Sequence, residues 1–278
     1  MRVFVYLLVA LGVGLGCAEH PTYTNEDIAL NDRGVAQMGR YEYTDAEKTF
    51  AELVARAPGW LDARVNHAIA TLNRQAEGDE QLALAILARV LDEDRGHLRA
   101  LYTSGILYLY LGEASIAVER LQQVTIGDPQ DAYAAYFLGQ SLLQDGNYAD
   151  ASRWLLLAAQ LDPYLRSAYW AAAQALRRLD RGDEASQLIA DYQRFAANPA
   201  ARLAGFSYAR MGPRARVLAV NVADSAPVAK PAGPLFASPF ALPLSADSQW
   251  REANVTTADV DGDGFLDLFV AGSQANAF

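Results

Sequence analysis

In the middle of this chain a set of residues returns every 34 positions, and that return limits what the chain can fold into. Pro129 and Pro163 are 34 apart, and so are Gly105 and Gly139, Gly112 and Gly146, Ala117 and Ala151, and Asp128 and Asp162. A period of this length marks a supersecondary unit that buries its apolar face by stacking on its neighbours. Each recurring residue has a mechanical reason. Small residues at the eighth and twentieth places let the two helices of one unit approach closely. Glycine near the fifteenth place ends the first helix in a tight turn. Asp-Pro at the thirty-first and thirty-second places stops the second helix, because proline cannot continue it and biases the preceding residue away from helix.

The register continues outwards. Gly34, Ala46, Phe50 and Pro58 make a first unit, with an irregular turn from Gly39 to Tyr43. A second covers about 62–95, with Arg95 in the proline place and about three extra residues, its polar stretch running from Asn73 to Gln81. A fifth, about 166–198, keeps Ala185, has Ala173 for the glycine and delays its proline to Pro199. Five units over 31–198 exceed the roughly three that a stable array requires.

Period and residue types resemble the tetratricopeptide-repeat family. The resemblance implies an all-α fold, a right-handed α-solenoid of about five helix pairs, in which the first helices line a concave groove. Groove positions carried over from the family are Arg99, Tyr102 and Tyr110 in the third unit, and Tyr133, Tyr136 and Gln140 in the fourth. In the fifth they are Trp170, Gln174, Arg177 and Arg178, with Ser167 beside them. Tyr and Trp are common binding anchors. Arg99, Arg177 and Arg178 would favour acidic groups on a partner protein or peptide. About half of the aromatics are expected to pack between units instead. The family's carboxylate clamp has no match here.

The first seventeen residues read as a targeting segment. Met1 and Arg2 precede an apolar run from Val3 to Leu15, which is the length of a signal-peptide core and short of a membrane span. The run ends at Gly16-Cys17-Ala18. This ending resembles a bacterial lipoprotein signal, which implies lipidation at Cys17, although Gly14 stands where that family usually has leucine. Cleavage after Ala18 and an uncleaved short anchor are the alternatives. All three place the body outside the cytoplasm, periplasmic or on the outer surface. Residues 18–30 are read as a spacer. Cys17 is the sole cysteine and the formal charge is −10. Internal disulfides are thereby excluded, and so is a phosphate-binding basic stripe. His20, His67 and His97 have no metal-ligand spacing.

Beyond the repeats, residues 199–224 are expected to form a capping helix (200–211) and a short strand (216–223). Five prolines mark 225–249 as an extended linker. Within 250–278, Asp259, Asp261, Asp263 and Asp267 alternate around glycines, a density of hard oxygen ligands that suits calcium. Val270 stands where an EF-hand needs glutamate, and 266–272 reads as a strand. The segment therefore resembles the FG-GAP or VCBS blade of a β-propeller, as in chains of the cartilage-acidic-protein type. That resemblance implies calcium held by the four aspartates and the Phe265 carbonyl, weakly in one isolated blade. The chain would then be the N-terminal part of a longer protein.

No nucleophile elbow, Walker loop or zinc-protease motif is found, so the chain is read as non-catalytic. The expected function is a protein–protein interaction scaffold of the bacterial cell envelope. The alternative is a calcium-dependent adhesion or carbohydrate-binding protein.

Overall fold

The computed structural model describes residues 23–219 and the backbone of three short strands within 254–277. The signal-like segment with Cys17, the proline-rich linker and the loop holding Asp259, Asp261, Asp263 and Phe265 lie outside the described residues. Two compact units, Met1–Asn221 and Val222–Phe278, are taken separately.

The first unit is an α-solenoid of ten consecutive helices in five pairs. These are α1 (Asn25–Gly39) with α2 (Tyr43–Arg56), α3 (Leu61–Arg74) with α4 (Asp79–Glu93), and α5 (Leu98–Leu111) with α6 (Ala114–Gly127). Then come α7 (Ala132–Gln144) with α8 (Tyr148–Leu161), and α9 (Arg166–Arg178) with α10 (Gly182–Arg194). Helix α1 begins six residues earlier than expected, inside the stretch read as a spacer. The cause is local: the Thr24 hydroxyl accepts the Asp27 N–H, and the Asp27 carboxylate accepts the Thr24 N–H, a reciprocal cap.

The glycines of the eighth place face the partner helix of their own pair. A Cβ on Gly105 would lie 2.8 Å from Leu121 Cγ, one on Gly139 2.5 Å from Leu155 Cγ, and one on Gly34 2.6 Å from Phe50 Cζ. Leu121, Leu155 and Phe50 are fully buried, each contributing about 1.5–3 kcal/mol of apolar burial. The twentieth-place alanines Ala46, Ala117, Ala151 and Ala185 are also fully buried, and Ala83 fills the same place in the second pair. Gly112 and Gly146 take φ of +89° and +84°, as the helix-ending turn requires. Tyr41, Gln75 and Asp180 adopt the same left-handed geometry in the other pairs, at φ of +63°, +58° and +58°. The irregular units thus keep a left-handed residue at that place without glycine, and the second pair adds Gly78 at φ of +83°. Asp128 and Asp162, each ahead of a proline, sit at ψ of 90° and 93° and close α6 and α8. The last pair is thinner: Ala185 is the buried residue of α10, and Ala173, Leu176 and Ala185 form a small cluster of their own.

After α10 the chain does not form the expected capping helix. Residues 200–211 carry a single 3₁₀ turn, Tyr208–Arg210, and Arg216–Ala219 is irregular rather than a strand. Gly205, Gly212 and Pro213 interrupt any helical run; the stretch makes short local turns, and the Arg202 and Ala204 N–H groups bond to the solenoid. In the second unit, β1 (Asn254–Ala258) pairs antiparallel with β2 (Asp267–Ala271), and β2 with β3 (Asn276–Ala277). Ala258 faces Asp267, so residues 259–266 connect the two strands of a hairpin.

The close glycine contacts make a prediction. Gly139→Ala should destabilise the fold by about 1–3 kcal/mol through overpacking. Gly59→Ala, where a Cβ would meet nothing within 4 Å, should be near neutral. Urea denaturation of both variants checks this, and equal midpoints would contradict it.

Candidate interaction groove

The odd-numbered helices touch one another along the solenoid: α3 meets α5, α5 meets α7 and α7 meets α9. Side chains from these helices converge on one object, the chain's own residues 202–218. The segment passes from α9 towards α1, counter to the order of the repeats.

At its start, the Arg202 N–H donates to the Tyr164 carbonyl at 2.8 Å, and the Arg202 carbonyl accepts the Arg166 N–H at 2.9 Å. The Arg202 guanidinium meets Asp162 Oδ2 at 2.7 Å. Ser167 Oγ accepts the Ala204 N–H at 2.9 Å. Phe206 stacks on Tyr110 with ring centres 3.9 Å apart and 6° between planes. The Tyr102 hydroxyl donates to the Met211 carbonyl at 2.6 Å. Gly212 follows at φ +88°; a Cβ there would fall 2.6 Å from Tyr102 Oη and 2.7 Å from the Tyr133 ring. Arg214 donates through Nε to Asp131 Oδ2 at 2.5 Å and pairs through Nη2 with Asp128 Oδ2. The Asp128, Asp131 and Asp162 carboxylates, with Arg202 and Arg214, line a cavity of about 360 Å³.

The far end is read through its main chain. Arg99 Nη2 donates to the Arg216 carbonyl at 2.8 Å. Asn66 Nδ2 donates to the Leu218 carbonyl at 3.0 Å, while Asn66 Oδ1 accepts the Leu218 N–H at 3.0 Å. Asn31 Nδ2 reaches the same carbonyl at 2.8 Å. Asn31 and Asn66 are bonded to each other, and Asn66 Oδ1 also accepts from Arg99. Arg99 is anchored to Asp62 at 2.6 Å. Burial draws its guanidinium pKa below the ordinary value, against the opposing pull of Asp62. The Tyr102 hydroxyl is fully buried, and burial raises it well above the usual range. Met211, Ala215 and Val217 are buried against the helices.

The expected groove residues divide in two. Arg99, Tyr102, Tyr110 and Tyr133 contact the segment as just described. Tyr136 is buried against Phe137, and burial pushes its hydroxyl up to about 12 despite a bond to Ser167. Gln140 is half-buried. Trp170 instead packs on Tyr192 of α10 at 5.6 Å, Arg178 lies over Tyr148, and Gln174 and Arg177 are exposed. Arg99, expected to favour acidic groups on a partner, is not a free cation. Arg99 is committed to Asp62, and the segment in the groove carries four arginines and no acid between residues 199 and 218. Asn31, Asn66, Asp128, Asp131, Asp162 and Gly212 were missed. A basic, acid-free stretch straight after an acidic repeat array was the available signal for them.

Asp267 opens β2. Among the described residues no group of three or more His, Cys, Asp or Glu could hold a metal ion, and no helix is long and apolar enough to cross a membrane.

Residues 102–165 match the tetratricopeptide repeat model. The FK506-binding protein-like protein of Rattus norvegicus is 34% identical over 94 residues, which are 34% of this chain and 27% of that protein. Tetratricopeptide repeat protein 37 of Xenopus laevis is 34% identical over 88 residues, 31% of this chain and 6% of that one. The chain thus spans about a quarter or less of these relatives. Among solved structures, MamA 41-end from Desulfovibrio magneticus RS-1 superposes with a TM-score of 0.58 at 20% identity, covering 64% of this chain and 99% of that one. A MamA RS-1 ArsTM double mutant gives 0.57 at 20%, covering 63% and 96%. Residues 102–165 therefore carry tetratricopeptide repeats, and the helical part shares its fold with the MamA structures.

The Tyr102 bond makes a prediction. Tyr102→Phe leaves the Met211 carbonyl without its donor, at a cost of about 1–3 kcal/mol. Trypsin should then cut faster at Arg210 and Arg214. Unchanged stability and unchanged digestion would contradict the contact.

Proposed function

We propose that this chain is a non-catalytic protein–protein interaction scaffold of the bacterial cell envelope, whose concave groove recognises an extended polypeptide segment chiefly through its main chain. Repeats of this family generally serve as scaffolds without catalytic groups. The observation that carries the reading is the clasp of Asn66 on both the N–H and the C=O of Leu218, extended by Asn31 and by Arg99 on the Arg216 carbonyl. Amide side chains that pair with a backbone donor and acceptor together recognise an extended strand without demanding one side chain. The envelope location rests on the sequence alone: the apolar run ending at Cys17, which we take as the lipidated residue. Palmitate labelling lost in Cys17→Ser tests that placement.

A second reading is favoured by the hairpin of the second unit. Strands β1 and β2 flank residues 259–266, as expected of a calcium-loop blade, and support a calcium-dependent adhesive or carbohydrate-binding role for that unit. Isothermal titration of the full chain with millimolar calcium should give heat that Asp261→Asn with Asp263→Asn abolishes; no heat in the unaltered chain retires this reading.

For the scaffold reading, Asn66→Ala removes both bonds to Leu218 and one from Arg99. Hydrogen exchange at the Leu218 amide should accelerate about tenfold or more, the equivalent of one lost net hydrogen bond. A folded variant with unchanged protection would contradict main-chain recognition by the groove.

A further inference from the structure

We infer that the groove's partner is an extended, arginine-bearing, acid-free segment of another protein with glycine two residues before an arginine, and that residues 202–218 are a resident occupant which this partner displaces. The inference rests on the scaffold reading above and gives its partner a chemistry.

Three observations define that chemistry. Charge is the first. The wall offers Asp128, Asp131 and Asp162 to the segment, and it holds Arg214 and Arg202 with them. Asp128 and Asp162 are otherwise the residues that close α6 and α8: each accepts, through Oδ1, the N–H two residues on, Gln130 for Asp128 and Tyr164 for Asp162. Their Oδ2 atoms are left to point at the groove. The two carboxylates are fixed by the repeat itself, so the acidic readers stand ready before any ligand arrives.

Glycine is the second. At position 212 the backbone is left-handed and a Cβ has no room between Tyr102 Oη and the Tyr133 ring. Tyr102 is fully buried and cannot swing away cheaply. An L side chain is therefore excluded at this place on both conformational and steric grounds. Arg214, two residues on, is the one that reaches Asp128 and Asp131. The spacing Gly-x-Arg is thus what the wall reads most sharply.

Exchangeability is the third. Three of the five helix pairs are closed by their own glycine contacts with Phe50, Leu121 or Leu155, which owe nothing to the segment. The segment forms no helix beyond 3₁₀ turns and adds no strand to a sheet. Its first ion pair is open to water, the Arg202 side chain being 54% exposed, and Leu218 at its far end is 43% exposed. Its apolar insertions, Met211, Ala215 and Val217, ask the same of any replacement. An occupant tethered by a few residues acts at an effective concentration on the order of millimolar, so a free peptide competes poorly against it until it is loosened.

The test uses a fluorescein-labelled peptide of residues 200–219 and the full chain. Arg202→Glu with Arg214→Glu loosens the resident segment and leaves the groove wall untouched. By fluorescence anisotropy this variant, with helicity unchanged by circular dichroism, should bind the peptide at least about tenfold tighter than the unaltered chain, as release of a tethered competitor requires. A peptide with Gly212→Ala should lose at least tenfold of that affinity. Equal binding by variant and unaltered chain overturns displacement, and an alanine peptide that binds as well as the glycine one overturns the partner's signature. Should the variant misfold, a protease site inserted between Asn198 and Ala200 gives the same answer. After cleavage, excess unlabelled peptide should release the C-terminal fragment on size exclusion; a fragment retained overnight at saturating peptide shows a permanent strap and overturns the proposal. If Asn66→Ala loosens Leu218 but no exchange follows, displacement alone falls; if Asn66→Ala does nothing, the scaffold reading falls with it.

Discussion

Gly105 and Gly139 have no room for a methyl group, because Leu121 and Leu155 of the partner helices occupy that space. Two helices brought this close make a thin, rigid hairpin, and hairpins that repeat with one geometry stack into a curved array. The curvature gathers the odd-numbered helices along one wall. Everything proposed about recognition depends on that wall, and the wall depends on five helix pairings, three of them made through such a glycine. Where the register is poorer, the pairing survives by other means. Tyr41, Gln75 and Asp180 hold the left-handed turn that glycine would take at no steric cost.

The groove cannot comfortably stand empty. Arg99 is buried, with Asp62, Asn66 and the Arg216 carbonyl as its partners. Stripping the segment away takes the Arg216 carbonyl from the Arg99 guanidinium, and a hydrogen bond to a charged group is worth about 1.5–3 kcal/mol. Tyr102 would lose its acceptor at the same time. Replacement of one extended segment by another keeps those partners supplied. An exchange in which the incoming chain pairs as the resident leaves is therefore energetically easier than release followed by binding.

The solenoid was legible because its signals are local. Asp-Pro, the turn glycines and the small residues at the pairing surface each act within one 34-residue unit, and a repeat writes them several times over. One strand of the second unit was legible for the same reason: 266–272 read as a strand, and Asp267–Ala271 is one. Arg99, Tyr102, Tyr110 and Tyr133 were found because their places in the register fix which wall they line. What covers them was not legible. Residues 200–211 have a helical composition in Ala, Leu and Arg, and the pull of Asp162, Ser167 and Tyr102 upon them acts across sequence separations that no local pattern records. Trp170 lies beyond the segment, and its neighbour is Tyr192 of its own pair. Arg99 was read as a free cation of the groove, whereas it spends its charge on Asp62, one unit earlier.

The central claim is that the chain's own segment occupies the groove with Gly212 against two tyrosine rings. Nuclear Overhauser spectroscopy of the full chain tests it most directly. The account predicts cross-peaks from the Gly212 α-protons to the ring protons of Tyr133 and Tyr102, with those α-protons displaced from their usual shifts by the rings. A Gly212 resonance at random-coil position, without contacts to either ring, would contradict it.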